Sequence, residues 1–248
     1  MQESLIIWGI HPVEEILKVR PEDIIRVEIL PTFGRKRNQK LLLELLGSKG
    51  LVPVKRPDFH KKNLPKGAVH QGVCAEVRVF WEKDVQEIVK TALASSHPIV
   101  VCDQIEDPQN LGAIIRSSVA FDAAGLVIPK RQNAPINGTV VKASSGAVFH
   151  TQVSTTMNLF AAIETIKSHN IPVVALDAKG AVRIYEVEAD GPMCLVLGSE
   201  AKGIRKNVRK MADILCSIPI NPVLDSLNVS SAASVALYEF KRKRLLAK

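Results

Sequence analysis

The stretch Cys194-Leu-Val-Leu-Gly198-Ser-Glu200-Ala-Lys-Gly203 takes an apolar run directly into a polar turn bearing a glycine at each end. A strand with apolar side chains at consecutive positions must be covered on both faces, and in a parallel sheet the helices of the crossover connections cover it. Runs of the same kind recur at Ile99 to Cys102, Leu126 to Ile128, Val173 to Leu176 and Ile214 to Ile218, separated by helical stretches. From Pro98 onward the chain therefore predicts a doubly wound α/β domain with a mostly parallel sheet. In such sheets ligands collect beyond the carboxyl ends of the strands. The polar segments that follow the runs are where function is to be sought.

The rest of the 248 residues is compatible with that reading. A content of 46% hydrophobic and 23% charged residues supplies a core and excludes a disordered or collagen-like polymer. No apolar run reaches the ~18 to 20 residues of a membrane span, and Met1 to Ile10 lacks the basic flank and long apolar stretch of a signal peptide. A cytoplasmic protein is expected. Cys74, Cys102, Cys194 and Cys216 stand far apart with no CxxC pair, which predicts buried, reduced thiols. His11, His60, His70, His97, His150 and His169 form no ligand pattern, so no metal is expected.

The first third of the chain alternates short elements. Ser4 to Gly9 reads as a strand, His11 to Val19 as a helix and Ile24 to Leu30 as a strand. Asn38 to Leu46 reads as a helix stopped by Gly47, and Val52 to Val54 and Val73 to Val79 as strands, the last with Val73, Ala75, Val77 and Val79 on one face. This predicts a small α/β domain over 1–80, a linker over 81–97 with Trp81 and Ala94-Ser-Ser96, and a second domain over 98–248. The formal charge is 33 − 25 = +8. Up to Phe80 there are 14 Lys+Arg and 9 Asp+Glu, hence 14 − 9 = +5. The cations cluster at Arg35-Lys36-Arg37 with Lys40, at Lys55-Arg56, and at Lys61-Lys62 with Lys66. One such cluster alone reads as a solvated surface, but their repetition in a short region points to an anionic partner, of which nucleic acid is the commonest large one. At 4% aromatic residues a base-stacking platform is not favoured, leaving phosphate contact and shape.

Three polar segments carry the candidate chemistry. In Asp107-Pro-Gln-Asn110-Leu-Gly112-Ala-Ile-Ile-Arg116, Asn110 is placed to cap a helix, while Gly112 and Arg116 share a helical face where a guanidinium could hold a phosphate. In Leu197-Gly198-Ser-Glu200-Ala-Lys-Gly203-Ile, the glycines suit a backbone that approaches a ligand closely. Ile204-Arg205 replace the Lys-[Ser/Thr] of a Walker loop, which rejects a nucleotide triphosphatase. In Ile218-Pro-Ile-Asn-Pro-Val-Leu-Asp-Ser226-Leu227-Asn228-Val-Ser230, polar Ser226, Asn228 and Ser230 alternate with apolar Leu227 and Val229, so an extended backbone would aim the polar set one way. Asn228 or Ser230 could equally cap the Ala-rich helix that follows. No GxSxG surrounds either serine, and a hydrolase is not indicated.

In this order, over about Pro98 to Arg244, the three segments closely resemble the signature motifs of the SpoU (TrmH-like) branch of the SPOUT-class RNA 2′-O-ribose methyltransferases. Gly9-Ile-His11-Pro-Val-Glu-Glu15 and His70-Gln-Gly72 resemble the N-terminal extension of the subgroup that methylates a guanosine 2′-oxygen in 23S ribosomal RNA. The resemblance implies a ribosomal-protein L30e-like RNA-binding domain followed by a SPOUT domain with a deep trefoil knot, binding S-adenosylmethionine and working as a homodimer. By position it implies active-site roles for Asn110, Arg116, Glu200, Ser226, Asn228 and Ser230, and cofactor contacts at Gly198, Ile218 and Leu227. A guanidinium stays protonated in proteins, so Arg116 is expected to act as an electrostatic clamp rather than as a base. Two other readings fit the same features: methylation of transfer RNA by an enzyme of this family, and a noncatalytic RNA-binding factor in ribosome assembly. The last would not require Arg116, Glu200 and Asn228 together.

Overall fold

The computed structural model describes residues 4–58, 64–78, 82–200 and 202–246. The chain divides into two units, Met1–Phe80 with Ile136–His150 and Trp81–Pro135 with Thr151–Lys248. The first unit runs β1 (Ser4–Trp8), α1 (Ile10–Val19), β2 (Ile24–Ile29), α2 (Arg37–Ser48), β3 (Val54–Lys55) and β4 (Val73–Arg78), and its sheet has the order β1-β4-β2-β3. Strand β4 is antiparallel to both β1 and β2. Its Val73, Ala75 and Val77 are buried as the alternation predicts, while Cys74 is buried too, in a cluster with Trp8; Val79 lies outside the described residues. Helix α1 buries Ile10, Val13, Ile16 and Leu17, the three-to-four spacing of a core-facing stripe. Gly47 does not stop α2, which continues to Ser48 before the chain turns back with Leu51 N donating to Leu46 O at 2.9 Å.

Residues 136–150 belong to this unit although they follow the first two strands of the second. A short helix, Gly138–Ala143, is capped by Asn137, whose Oδ1 accepts from Thr139 N at 3.0 Å and Val140 N at 3.1 Å. It lies on β1 so closely that a Cβ at Gly138 would stand 2.2 Å from the Trp8 ring and 2.3 Å from Ile6 O. Gln71 Oε1 accepts from Ile10 N at 3.0 Å and from Lys142 Nζ at 3.2 Å, and burial lowers the Lys142 pKa below its ordinary value. Glu15 Oε2 meets His150 Nε2 at 2.6 Å while its Oε1 accepts from Lys18 at 2.6 Å. The stretches Gly9 to Glu15 and His70 to Gly72 thus meet on one surface, and residues 138–150 dock there.

The second unit contains α3 (Val85–Ser95), β5 (Ile99–Asp103), α4 (Pro108–Ala120), β6 (Gly125–Pro129), β7 (Val153–Thr156), α5 (Leu159–Lys167), β8 (Val173–Leu176), β9 (Val182–Arg183), β10 (Cys194–Gly198), α6 (Lys206–Arg209), β11 (Ile214–Ser217) and α7 (Val229–Leu246). Its seven strands are ordered β7-β6-β5-β10-β8-β11-β9, and every pairing is parallel. The five apolar runs are the five inner strands. The residues of β5 and β6 are buried throughout, and each fully buried Val, Leu or Ile contributes roughly 1.5 to 3 kcal/mol. Helices α3 and α5 cover one face through Ile88, Val89, Ile163 and Ile166. Helix α7 buries Ala233, Ala236, Leu237 and Phe240 and packs along α4, with the Phe121 and Tyr238 rings edge to face at 5.8 Å. The basic end Lys241 to Arg244 is engaged in that packing. Lys241 donates to Ala120 O at 3.2 Å and Arg244 to Phe121 O at 3.3 Å, carbonyls at the electronegative end of α4.

All four cysteines are buried and unpaired, and burial pushes their thiols up to about 12. No helix among the described residues is long and apolar enough to cross a membrane.

Candidate active site

Because the sheet of the second unit is parallel, the turns after β5, β8, β10 and β11 leave it along one edge. Helix α4 begins there. Its N-cap is Asp107 rather than Asn110: Asp107 Oδ1 accepts from Gln109 N at 2.9 Å, and Pro108 occupies the first helical position, where its missing N–H costs nothing. Asn110 is therefore released from capping. Its Nδ2 donates to Glu200 Oε1 at 3.1 Å, and its Oδ1 accepts from Asn228 Nδ2 at 3.0 Å.

Glu200 is the hub of this cluster. Besides Asn110, its Oε1 accepts from the Asn228 side chain and from Val229 N at 3.2 Å. Asn228 performs both of the roles its position allowed. Its Oδ1 caps α7 by accepting from Ser230 N at 3.0 Å, Ser231 N at 3.3 Å and Ser230 Oγ at 2.6 Å, while its Nδ2 joins the carboxylate. Ser230 in turn offers its carbonyl to Ser234 Oγ, which pairs with Ser117 Oγ at 2.7 Å. Asn110, Glu200, Asn228 and Ser230, from three segments far apart in the chain, are thereby brought together. Ser226 is exposed two residues ahead of Asn228 and makes none of these bonds. Arg116 is exposed on α4, six residues beyond Asn110, hence about 9 Å along the helix and roughly 120° around it.

The turn carrying Glu200 is closed on itself. Ser199 N donates to Gly203 O at 3.1 Å and Gly203 N to Ser199 O at 2.8 Å. A Cβ at Gly198 would lie 2.4 Å from the Gly203 carbonyl carbon and from Ile204 N, so Gly198 is required by its own turn. The turn is anchored by Asp103, the last residue of β5 and fully buried. Asp103 accepts from Arg205 N at 2.8 Å and Arg205 Nε at 2.6 Å. Asp103 lies outside the three polar segments, and Arg205 stands in the sequence only as a departure from a Walker loop. The available signal was an acidic residue ending an apolar run that must be buried.

Ile218, just past β11, and Leu227, just ahead of Asn228, are each half-buried, and the turn after β8, where Gly180 N donates to Asp177 O at 2.9 Å, lies against Cys216 of β11. Apolar surface next to turns of exposed backbone suits a ligand with a flat apolar ring and polar ends, and S-adenosylmethionine is such a molecule. Among the described residues no group of three His, Cys, Asp or Glu side chains could hold a metal ion.

Two family models match this chain: the SpoU rRNA methylase family over residues 97–238 and the RNA 2′-O ribose methyltransferase substrate-binding domain over 6–80. The chain belongs to the SpoU rRNA methylase family. It is 36% identical over 243 residues to the 23S rRNA (guanosine-2′-O-)-methyltransferase RlmB of Haemophilus influenzae, covering 96% of this chain and 98% of that protein. To the RlmB of Yersinia pestis it is 32% identical over 244 residues, covering 97% and 98%. Among solved structures, the SpoU methyltransferase AviRb from Streptomyces viridochromogenes, in complex with the cofactor AdoMet, superposes with a TM-score of 0.81 at 22% identity over 98% of this chain and 91% of that one. The two matches together span both units, and the polar cluster lies within the matched methylase region.

Proposed function

We propose that this protein transfers the methyl group of S-adenosylmethionine to the ribose 2′-oxygen of a guanosine in 23S ribosomal RNA. The single observation that carries the reading is the convergence of Asn110, Glu200 and Asn228, one residue from each of the three segments, on the carboxyl edge of the sheet. Full-length relatives named for that reaction support the choice of substrate. Residues 1–80 hold the RNA, through Arg35, Arg37 and Lys40, which are exposed; 81–97 form the linker; and 98–248 carry the transfer. Of the other basic positions, Arg56 lies 3.4 Å from the buried Glu28, and Lys61 and Lys62 fall outside the described residues.

Ile218, Leu227 and the turn at Gly198 would hold the cofactor, whose sulfonium would supply the electrophilic methyl carbon and leave as the neutral thioether S-adenosylhomocysteine. The protein's part is alignment and charge. Glu200, fixed by three donors, holds the two amides of Asn110 and Asn228 in one orientation to bind the ribose. Arg116 acts as a permanent cation beside the 2′-oxygen as negative charge develops, with the proton lost to a phosphate oxygen or water. Ser226 and Ser230 contact the bound nucleotide. The active form is a homodimer in the cytoplasm, and the half-exposed Val235 and Tyr238 of α7, 41% and 55% exposed, supply apolar surface for the dimer contact. The insertion of β10 between β5 and β8 suits a knotted chain path.

Calorimetry with S-adenosylmethionine and methyl transfer to a 23S ribosomal RNA transcript test this reading together. Binding without transfer by Arg116→Ala is expected, and Arg116→Lys should rescue little because an ammonium lacks the planar fork. Absence of cofactor binding by the wild type would favour the noncatalytic assembly factor. Near wild-type turnover in Arg116→Ala would remove Arg116 from the mechanism.

A further inference from the structure

A cleft of about 650 Å³ opens in the second unit at the carboxyl ends of β6 and β7, and the chain just after the Ser199–Gly203 turn forms one wall. Its lining includes three cations, Arg131, Arg205 and Lys206, and no carboxylate. Arg205 is engaged by Asp103. Arg131 and Lys206 are exposed and meet no carboxylate among the described residues. The same lining contains two large apolar side chains left in solvent, Met157 at 64% and Phe160 at 44% exposed. Unneutralised cations beside an exposed aromatic ring complement a ligand with an anion and a flat apolar face, which is the make-up of a nucleotide with its phosphate and base. An acidic peptide would answer the cations and leave Phe160 and Met157 uncovered.

We propose that this cleft binds one unpaired nucleotide of the RNA chain flanking the methylated residue, its base against Phe160 and Met157 and its phosphate on Arg131 and Lys206. The inference rests on the RNA-methyltransferase reading above and gives the catalytic unit a grip of its own on single-stranded RNA. A base inside a duplex presents no open face to an aromatic ring, so the cleft selects a substrate opened around the target nucleotide. It adds one stacked ring to the phosphate and shape contacts that the low aromatic content leaves as the main mode of recognition.

The test uses the full-length protein. Phe160→Trp puts an indole in the cleft, and its added emission over wild type should be quenched saturably by a single-stranded oligoadenylate. A duplex of the same length, polyglutamate and inorganic phosphate should leave it unchanged. In methyl transfer to a 23S ribosomal RNA transcript, Phe160→Ala and the double variant Arg131→Gln, Lys206→Gln should each raise KM about tenfold. The double variant should also lower the log–log salt slope by about 0.7 for each phosphate it no longer neutralises. Calorimetric affinity for S-adenosylmethionine should stay within about twofold of wild type, which separates the cleft from the cofactor site. KM within twofold of wild type for both variants, or quenching by polyglutamate equal to that by oligoadenylate, overturns the proposal. If the wild type transfers no methyl group, the functional reading fails while the quenching experiment still decides the cleft: selective quenching supports it and no quenching overturns it.

Discussion

Replacing Gly198 by Ala distinguishes two reasons for a glycine at the end of β10. If the residue only lies against the cofactor, a methyl group weakens cofactor binding and leaves the empty protein as stable as before. The geometry predicts otherwise. The new Cβ would stand 2.4 Å from the Gly203 carbonyl carbon and Ile204 N and 2.6 Å from Gly203 O, all backbone atoms that cannot rotate away. Ordinary contact requires the 203–204 backbone to retreat by about 1 Å, which lengthens both Ser199–Gly203 hydrogen bonds beyond useful range. Each bond contributes about 0.5 to 1.5 kcal/mol net, and residual overpacking adds about 1 kcal/mol or more. Gly198→Ala should therefore cost the cofactor-free protein about 2 to 4 kcal/mol in urea unfolding. Far-UV circular dichroism should stay native, because only a turn moves. Affinity for S-adenosylmethionine should fall as well, since the turn at Gly198 is proposed to hold the cofactor. A cofactor-free stability within about 0.5 kcal/mol of wild type would refute the steric argument and return Gly198 to a purely cofactor-facing role.

Asp103→Asn should destabilise the protein by about 2 to 3 kcal/mol in the same assay, less than the ~3 to 5 of a fully enclosed pair, because the Arg205 side chain keeps 37% of its surface. Unchanged stability would show that the pair is dispensable. A chain beginning at Pro98 retains all three polar segments yet loses β1 and α1, against which residues 138–150 pack. It should be aggregation-prone, with Val140, Val141 and Val148, now fully buried, uncovered. A monodisperse truncated protein would contradict that. Glu15 titrates below its ordinary 4.5: burial raises its pKa, but hydrogen bonds from Lys18 and His150, with their charges, lower it by more. Its stabilising contribution is then complete above the unfolded pKa near 4.5 and fades as pH falls through the lower folded value. Glu15→Gln should lose less stability than wild type on acidification below about pH 4.5, and equal losses in acid titrations of the two proteins would dismiss the linkage.

The inner strands were legible because a run buried on both faces leaves no polar position, so five consecutive-apolar segments marked β5, β6, β8, β10 and β11 directly. Strand β7 was not, since Val153-Ser-Thr-Thr at the sheet edge needs only one apolar residue, and β9 is a two-residue strand at the opposite edge. Sheet order was also hidden. Periodicity reports that a strand is covered and says nothing about which strand lies beside it, so the placing of β10 between β5 and β8 has no local signature. Asn110 was misjudged for a local reason: Asp107-Pro108 is the stronger start signal, and it frees the amide three residues later for long-range use. The four-residue polar cluster could be anticipated from its motifs; for Asp103 the sequence signals only a buried acid at the end of an apolar run, and its partner follows from the pairing of β5 with β10. The docking of residues 138–150 beside β1 and α1 depends on the missing side chains of Gly138 and Gly146, whose partners lie more than a hundred residues earlier in sequence.

That pairing gives the site its economy of parts. In the parallel register Gly198 lies opposite Asp103, so the turn after β10 begins beside the carboxylate that ends β5. The Asp103 oxygens hold Arg205 by its backbone N–H and by its guanidinium, fixing the far end of the turn. Between these two anchors the Ser199–Gly203 pair leaves Glu200 outside, where α4 and α7 deliver Asn110 and Asn228. The carboxylate needs donors on both sides to remain oriented in water, and it receives them from two helix N-termini. Beyond Arg205 the chain forms a wall of the Arg131–Phe160 cleft, so the Asp103–Arg205 ion pair sets the position of the Glu200 carboxylate and of the proposed nucleotide subsite together. A disturbance at Asp103 must therefore reach both at once, raising KM for RNA and lowering kcat in the same variant, whereas Phe160→Ala touches KM alone.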